Sequence, residues 1–582
     1  MKRLFCFLLI CIVACQKQQQ EPTLFERAGV LEFNNQAKGR NISQYGETVG
    51  CTVKTLDVYT LELVCDGDQP WAVIEKGGGN KGFNSIRIKF NPNDGETSRT
   101  AELFIEVVGY ERVSLAVFNQ SVILTDMERN RTINSHMHQR LLKEYLWAQE
   151  YSKLEVDLNL DYTQFLNKYL LMLDDVNIED GGWTKGLVAN LGERFIYSNI
   201  VSERPVAKSV VQNAGLGFGP FFASALNADG SVYCLAVSYV HDGSPADVAG
   251  LCRGDAIYMV DGEYVTGDNY EDINKKLSSS SSGTYSLKYF RNAEIGDGNE
   301  LTASVAAGVY DYNPVLLCDV LQAGSDRIGY LVLESFDYDS QSFLTEAVDY
   351  LKSECVTQLV LDLRFNAGGS VAQSRWLSSC LAGSRHLDDV FATLEYNDSK
   401  EEVWKFRGGP DDYDGMGIGP DLGLNKVYVI GSYYTASASE MVVNALRGID
   451  FDVCLIGGRT EGKNVGMSTS YVTVDGVRYL FSPITFRICN AKGMGNYADG
   501  LVPDVQISDQ DLDFNDGDID TMFPFSFGDW TVPGANPALD IVLNSVDGAD
   551  AQVRSLTSVI PIAACNTSPC HGRYGSVVFM KQ

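Results

Sequence analysis

The sequence predicts a multidomain protein: an N-terminal β-sandwich, a small helical segment, a mixed β module with short helices, and an α/β core with a largely parallel sheet. Three observations predict it. The chain has 582 residues, room for about three to five domains at roughly 100–200 residues each. Hydrophobic residues make up 45% and charged residues 21%, a balance that sustains packed cores and rules out wholesale disorder. The hydrophobic period is two from about Glu21 to Thr125, turns helical after Asp126, and alternates between strand and helix beyond Ile328. Lys+Arg total 46 against Asp+Glu 76, a net charge of −30. So acidic a chain repels phosphate backbones, which argues against nucleic acid as a partner and says little about fold.

Lys2 and Arg3 precede an apolar run from Leu4 to Ala14, too short for a membrane-spanning helix of about 20 residues. A basic start, a short apolar stretch and a small residue before the cut describe a secretory signal. The tetrapeptide Ile12-Val13-Ala14-Cys15 resembles a bacterial lipobox. That resemblance implies cleavage before Cys15 and lipidation of its thiol. Residues 1–21 are then leader and tether, with Gln16 to Gln20 as a flexible leash. The expected location is the bacterial cell envelope, on the outer membrane, facing the periplasm or the surface. Of 14 cysteines, Cys6, Cys11 and Cys15 belong to the leader, and no CxxC pair or zinc spacing occurs among the rest. Export permits disulfides; Cys565 with Cys570, and Cys51 with Cys65, are the candidate pairs.

Residues 22–125 read as the β-sandwich. Thr52-Val53-Lys54-Thr55-Leu56 and Ser85 to Phe90 alternate, and Gly77 to Asn80 and Asn91 to Gly95 are turn clusters. Trp71, Ser98-Arg99-Thr100-Ala101 and Phe118-Asn119-Gln120 resemble a BACON-type module, which implies a glycan holder or a spacer, the spacer being favoured. Residues 126–205 read as helical, with Ile133, Met137, Leu141, Tyr145 and Ala148 at helical spacing and a second segment over Tyr162 to Leu173. His136 and His138 stand two apart, which does not place them on one helix face for a metal.

Residues 206–314 carry a sharper signature. Gly243-Ser244-Pro245-Ala246-Asp247-Val248-Ala249-Gly250-Leu251 runs into Arg253-Gly254-Asp255-Ala256-Ile257 and Val260-Asp261-Gly262. Small Ala246 and Ala249 suit a short, closely packed helix, Gly250 a left-handed end to it, and Asp261-Gly262 a tight strand turn. Together these resemble a PDZ domain of the bacterial protease-associated type. The resemblance assigns Leu216, Gly217, Phe218 and Gly219 to the loop that holds a peptide's terminal carboxylate, the peptide itself adding as a strand. Ser278 to Ser282 reads as a loop insertion.

Residues 315–526 form the core. Ile328–Leu333, Leu359–Leu363, Val427–Ile430 and Val453–Ile456 read as buried strands, with helices over Leu344 to Leu351 and Ser439 to Arg447. Three segments follow strand ends, where α/β folds place their sites: Asp362 to Ser370, Tyr434 to Glu440, and Gly457 to Asn464. In this order, behind a PDZ-like module and before Ala498 to Asp504, they resemble the C-terminal processing (tail-specific) serine peptidases. The resemblance implies a Ser/Lys dyad with Ser437 as nucleophile and Lys463 as base. It also implies an oxyanion hole from the N–H of Ala438 and that of Gly369 or Gly368, with Gly369 preferred. A serine hydroxyl needs a base, and lysine serves only when a dry pocket keeps its amine neutral. No histidine lies between Val427 and Val505, which disfavours a Ser/His/Asp triad, with distant His386 left open. Many family members carry Gln four residues after the lysine; here it is Met467, with Asp450 a weak substitute.

The expected activity is therefore endopeptidase cleavage of proteins captured by unstructured C-terminal tails, without metal or other cofactor. Its rival is an inactive peptide- or glycan-binding scaffold. Gly457 to Lys463 fits a phosphate-loop spacing but lacks the following Ser/Thr and helix. Asp511, Asp513 and Asn515 fail as a calcium loop at Asp516 and Met522. Residues 527–582 read as an extension without chemistry.

Overall fold

A computed structural model describes residues 27–33, 40–67, 70–76, 79–95, 97–173, 196–203, 212–225, 233–291, 300–323, 326–407, 416–506, 536–547 and 554–555. Cys15 and its tether, Cys565, Cys570, and the Asp511 to Asn515 run lie outside the described residues. The chain divides into two compact units, 1–133 with 473–478 and 134–472 with 479–582.

Among the described residues, the N-terminal stretch of the first unit holds eight strands: β1 (Val30–Phe33), β2 (Arg40–Ile42), β3 (Glu47–Thr55), β4 (Tyr59–Cys65), β5 (Ala72–Lys76), β6 (Gly82–Phe90), β7 (Arg99–Val107) and β8 (Val113–Gln120). They form two four-stranded sheets, ordered β1-β3-β6-β5 and β2-β8-β7-β4. Alternate residues, among them Val49, Val53, Ile88, Leu103, Ile105 and Phe118, fill one core, as the period of two requires. Cys51 and Cys65 do not bridge: they stand in different sheets, on β3 and β4, and both are free thiols.

Among the described residues three helices follow, α1 (Asp126–Glu144), the single turn Ala148–Tyr151 and α2 (Tyr162–Leu171). Ile133, Met137, Leu141, Tyr145 and Ala148 are all buried, although α1 stops before the last two. His136 bonds Ser470 Oγ at 3.0 Å and His138 bonds Tyr151 Oη at 2.9 Å, so the two rings serve different neighbours.

In the second unit an antiparallel sheet runs β9 (Phe221–Ala225), β10 (Tyr233–Val237), β11 (Ala256–Val260), β12 (Thr284–Phe290) and β13 (Glu300–Ala306), in that spatial order. The short helix α3 (Pro245–Val248) is capped by Ser244 Oγ and ends at Gly250 with φ +82°. Asp261 and Gly262, both at positive φ, make the turn after β11. Helix α4 (Tyr270–Ser279) corrects one reading. Ser278 and Ser279 are its last turn, with hydroxyls bonded back to Asn274 and Lys275, rather than a loop insertion.

Among the described residues the core is a seven-stranded sheet. Its elements in chain order are β14 (Val315–Ala323), β15 (Asp326–Leu333), α5 (Gln341–Ser353), β16 (Gln358–Asp362), α6 (Val371–Ala382), β17 (Lys426–Gly431), α7 (Ala438–Gly448), β18 (Val453–Gly457), β19 (Val505–Gln506), α8 (Pro537–Asp547) and β20 (Arg554–Ser555). The sheet order is β19-β18-β17-β16-β15-β14-β20. Strands β15, β16, β17, β18 and β19 pair parallel, and β14 and β20 add antiparallel. One face carries α5, α6 and α7 through Leu344, Leu377 and Val442. The other packs Tyr330, Val360, Tyr428 and Ile456 against Ala538, Leu539, Val542 and Leu543 of α8. The stretch after residue 527 therefore contributes a helix and a strand to the core, which its sequence did not announce.

Candidate active site

Three loops leave the C-terminal ends of β16, β17 and β18, and all three predicted motifs sit on them. The first is pinned by Asn366, whose side chain donates to Leu333 O at 3.0 Å and accepts the Gly368 N–H at 2.9 Å. Its carbonyl accepts the Ala436 N–H at 3.2 Å and the Ser439 hydroxyl at 2.9 Å, joining the first loop to the second. Phe336 brackets the glycines, donating to Gly368 O at 2.9 Å and accepting from the Ser370 N–H at 2.8 Å. A Cβ on Gly369 would meet Phe336 O at 2.1 Å, and one on Gly368 would meet the Ser437 Cβ at 2.8 Å. Only glycine fits either place, and both have positive φ. Since Asn366 takes the Gly368 N–H, Gly369 is the glycine of this pair whose N–H has no bond among the described residues.

The second loop ends at Ser437, half-buried and in a strained backbone conformation, φ +55° and ψ −115°. Such a conformation costs about 1–3 kcal/mol and survives only where neighbours enforce it. Here Thr435 Oγ1 donates to Leu363 O at 2.8 Å and accepts the Ser432 N–H at 2.9 Å. Ser437 precedes α7, so the Ala438 N–H is one of the helix's unpaired first donors, at the positive end of its dipole.

The third loop brings in Lys463, and Glu440 joins it to Ser437. Glu440 is wholly buried. Its Oε2 accepts the N–H of Ser437 at 2.8 Å and that of Lys463 at 2.9 Å. Its Oε1 accepts the Thr460 hydroxyl at 2.6 Å and the Gly462 N–H at 2.8 Å. The backbone nitrogens of Ser437 and Lys463 thus share one oxygen. The Ala498 to Leu501 segment closes the loop from behind: a Cβ on Gly462 would meet Ala498 O at 2.3 Å, and the Leu501 N–H donates to Thr460 Oγ1 at 2.7 Å.

The electrostatics follow from burial. Lys463 is only 9% exposed; burial lowers the pKa of its amine, and Glu461 and Glu440 pull it partly back. Burial pushes the Glu440 carboxyl up to about 8, opposed by the donors that converge on it. Burial also raises Glu461, which accepts the Tyr197 hydroxyl at 2.5 Å. Lys463 Nζ stands 4.7 Å from the centre of the Tyr197 ring.

The sequence reading needs one correction here. Asp450 is no partner of Lys463: it follows the far end of α7 and pairs with Lys492 on the surface. Met467 meets Asn199 Nδ2 at 3.9 Å. Around the amine stand Tyr197 and Glu461 instead. His386 bonds Asp389 and lies edge-on to Phe451, beyond the opposite end of α7 from Ser437. Glu440 had a legible signal, the Ser-x-x-Glu spacing of a capping box. Tyr197 had none, standing far upstream in no motif.

The predicted peptide loop lies beside β9. Gly219 donates to Tyr239 O at 3.0 Å and His241 donates to Gly217 O at 2.9 Å. That pairing turns Phe218's own N–H outward. Among the described residues β9 is one of the sheet's two edge strands.

Residues 327–507 match peptidase family S41 and residues 236–288 match a PDZ domain. The chain is 27% identical over 307 residues to the carboxy-terminal processing protease CtpA of Bacillus subtilis, covering 53% of this chain and 59% of that relative. It is 27% identical over 267 residues to the chloroplastic carboxyl-terminal-processing peptidase 2 of Arabidopsis thaliana, covering 45% and 48%. It therefore spans about half the length of these curated relatives. A crystal structure of an S41 protein from Bacteroides fragilis aligns over 72% of this chain and 98% of that one, at 25% identity and TM-score 0.53.

Proposed function

We propose that this chain is a serine endopeptidase that cleaves proteins captured by their C-terminal tails, with Ser437 as nucleophile and Lys463 as base. The observation that carries the reading is the pairing of Ser437 and Lys463 on one buried carboxylate oxygen, with a lysine whose burial favours the neutral amine. In the first step Ser437 Oγ attacks the scissile carbonyl carbon and its proton passes to Lys463 Nζ. The N–H groups of Ala438 and Gly369 receive the oxyanion. Collapse breaks the C–N bond, and Lys463 returns the proton to the departing amine. Water then attacks the acyl ester, giving a proton to Lys463, and Lys463 returns that proton to Ser437 Oγ as the C–O bond breaks and the acid is released.

The Leu216 to Gly219 loop holds the substrate's terminal carboxylate, and the tail extends along the free edge of β9. The PDZ module touches the core close to the site, since Tyr239 packs on Phe365 and His241 lies 3.4 Å from Glu334. The N-terminal strands serve as a BACON-like spacer, and lipidated Cys15 tethers the enzyme in the bacterial envelope. The test is labelling of the folded protein by a fluorophosphonate. Wild type takes the label and Ser437→Ala does not; Lys463→Ala slows it by about 10²–10⁴-fold, the usual worth of a positioned base. A folded wild type that stays unlabelled would favour the scaffold.

A further inference from the structure

We infer that Asn536 is a positioning residue for the Ser437 site, and that the segment carrying it is a working part of the core. This rests on the reading of Ser437 and Lys463 given above. Tyr330, Asp362, Arg364 and Asn536 form a closed ring of hydrogen bonds with essentially no solvent exposure. Arg364 donates Nε to Asp362 Oδ1 at 2.9 Å and pairs through Nη2 with Oδ2 at 2.7 Å. The Tyr330 hydroxyl donates to Asp362 Oδ2 at 2.9 Å. The Asn536 amide closes the ring from both ends. Its Oδ1 accepts Arg364 Nη2 at 3.2 Å, and its Nδ2 donates to Tyr330 Oη at 3.1 Å.

The ring lies at the root of both site loops. Asp362 is the last residue of β16 and Arg364 opens the turn that continues to Gly369. The Arg364 carbonyl accepts the Ser432 hydroxyl, and the Leu363 carbonyl accepts that of Thr435. The path from Arg364 thus reaches the oxyanion glycines along the chain and the Ser437 turn through two side chains. A buried ion pair holds its geometry only while its remaining hydrogen bonds are made. Three ring members come from within the S41 match and the fourth from beyond it.

Asn536 also begins α8, accepting the Leu539 N–H at 3.3 Å on its side chain. The two duties are separable. Asn536→Ser keeps a good helix cap but is too short to span Arg364 and Tyr330. Asn536→Asp keeps the length and the acceptor but loses the donor to Tyr330. Leu543→Ala loosens the packing of α8 and leaves the ring intact. We expect fluorophosphonate labelling of full-length Asn536→Ser to fall at least tenfold in its maximal rate, with the half-saturating probe concentration little changed. Asn536→Asp should be intermediate and carries the test should the serine variant not fold. Leu543→Ala, assayed well below its melting temperature, should label within twofold of wild type. Folded Asn536 variants labelling at the wild-type rate, or Leu543→Ala losing as much as they do, would overturn the inference alone. A wild type that takes no label at Ser437 would overturn the dyad itself, and this inference with it.

Discussion

Glu440 is bonded to Lys463 through the lysine's backbone: Oε2 accepts the Lys463 N–H at 2.9 Å while taking the Ser437 N–H at 2.8 Å. A single buried carboxylate thereby sets the spacing of two residues that are 26 positions apart in sequence. Both bonds run to backbone nitrogens rather than to the Ser437 hydroxyl or the Lys463 amine.

Glu440→Gln should therefore be far from conservative. An amide nitrogen placed where Oε2 or Oε1 stood would face N–H or O–H donors and leave them unsatisfied, a cost of about 1–3 kcal/mol for each buried group. The expected result is a fall of about 10²-fold in labelling of folded protein. A labelling rate unchanged from wild type would show that the carboxylate does not hold the pair.

The pH dependence follows from Lys463. Only the neutral amine accepts a proton, so the labelling rate rises with pH through the lysine's pKa and then levels. Burial lowers that pKa, placing the rise below the ordinary lysine range. Ionised Glu461 is the stronger of the two charges drawing it back up. Glu461→Gln keeps an acceptor for Tyr197 and removes the charge, so the rise should move to lower pH. Rates of labelling measured across pH for both proteins check this; a shift to higher pH would reverse the account.

Much of this site was legible in the sequence because it is local. The strand-end motifs around Gly368, Ser437 and Lys463 depend on short-range backbone needs: glycines at positive φ, small residues beside the serine, a helix start. The parallel core was legible for the same reason, through Leu359 to Leu363 and Val427 to Ile430. What stayed hidden comes from far along the chain. Tyr197 reaches Lys463, and Asn536 reaches Arg364 and Tyr330, by tertiary packing, and no periodicity or spacing marks such a residue. Asp450 misled because nearness in sequence to α7 placed it at the wrong end of the helix.

The two glycines should resist any side chain. Gly369→Ala drives a methyl into Phe336 O, and Gly368→Ala drives one towards Ser437. Strain at positive φ alone costs about 1–3 kcal/mol. Both variants should melt several degrees lower and label slowly even when folded. Wild-type melting and labelling would mean the loop is not held as described.

The peptide loop should affect capture rather than chemistry. Gly217→Ala would place its methyl 2.1 Å from the Ser244 Cβ, displacing the backbone proposed to receive the tail. With an unstructured, tailed protein substrate, KM should rise several-fold while kcat and fluorophosphonate labelling hold. Amidating the substrate's terminal carboxylate should act the same way on wild type. Equal KM values for free and amidated tails would exclude the loop as the carboxylate site.

The most direct measurement is the site of covalent modification. Folded wild-type protein treated with a fluorophosphonate, digested and read by mass spectrometry, should carry one adduct on the peptide containing Ser437. That adduct should be absent in Ser437→Ala and slow to form in Lys463→Ala. An adduct on another residue, or one that forms at an undiminished rate without Lys463, would contradict the account.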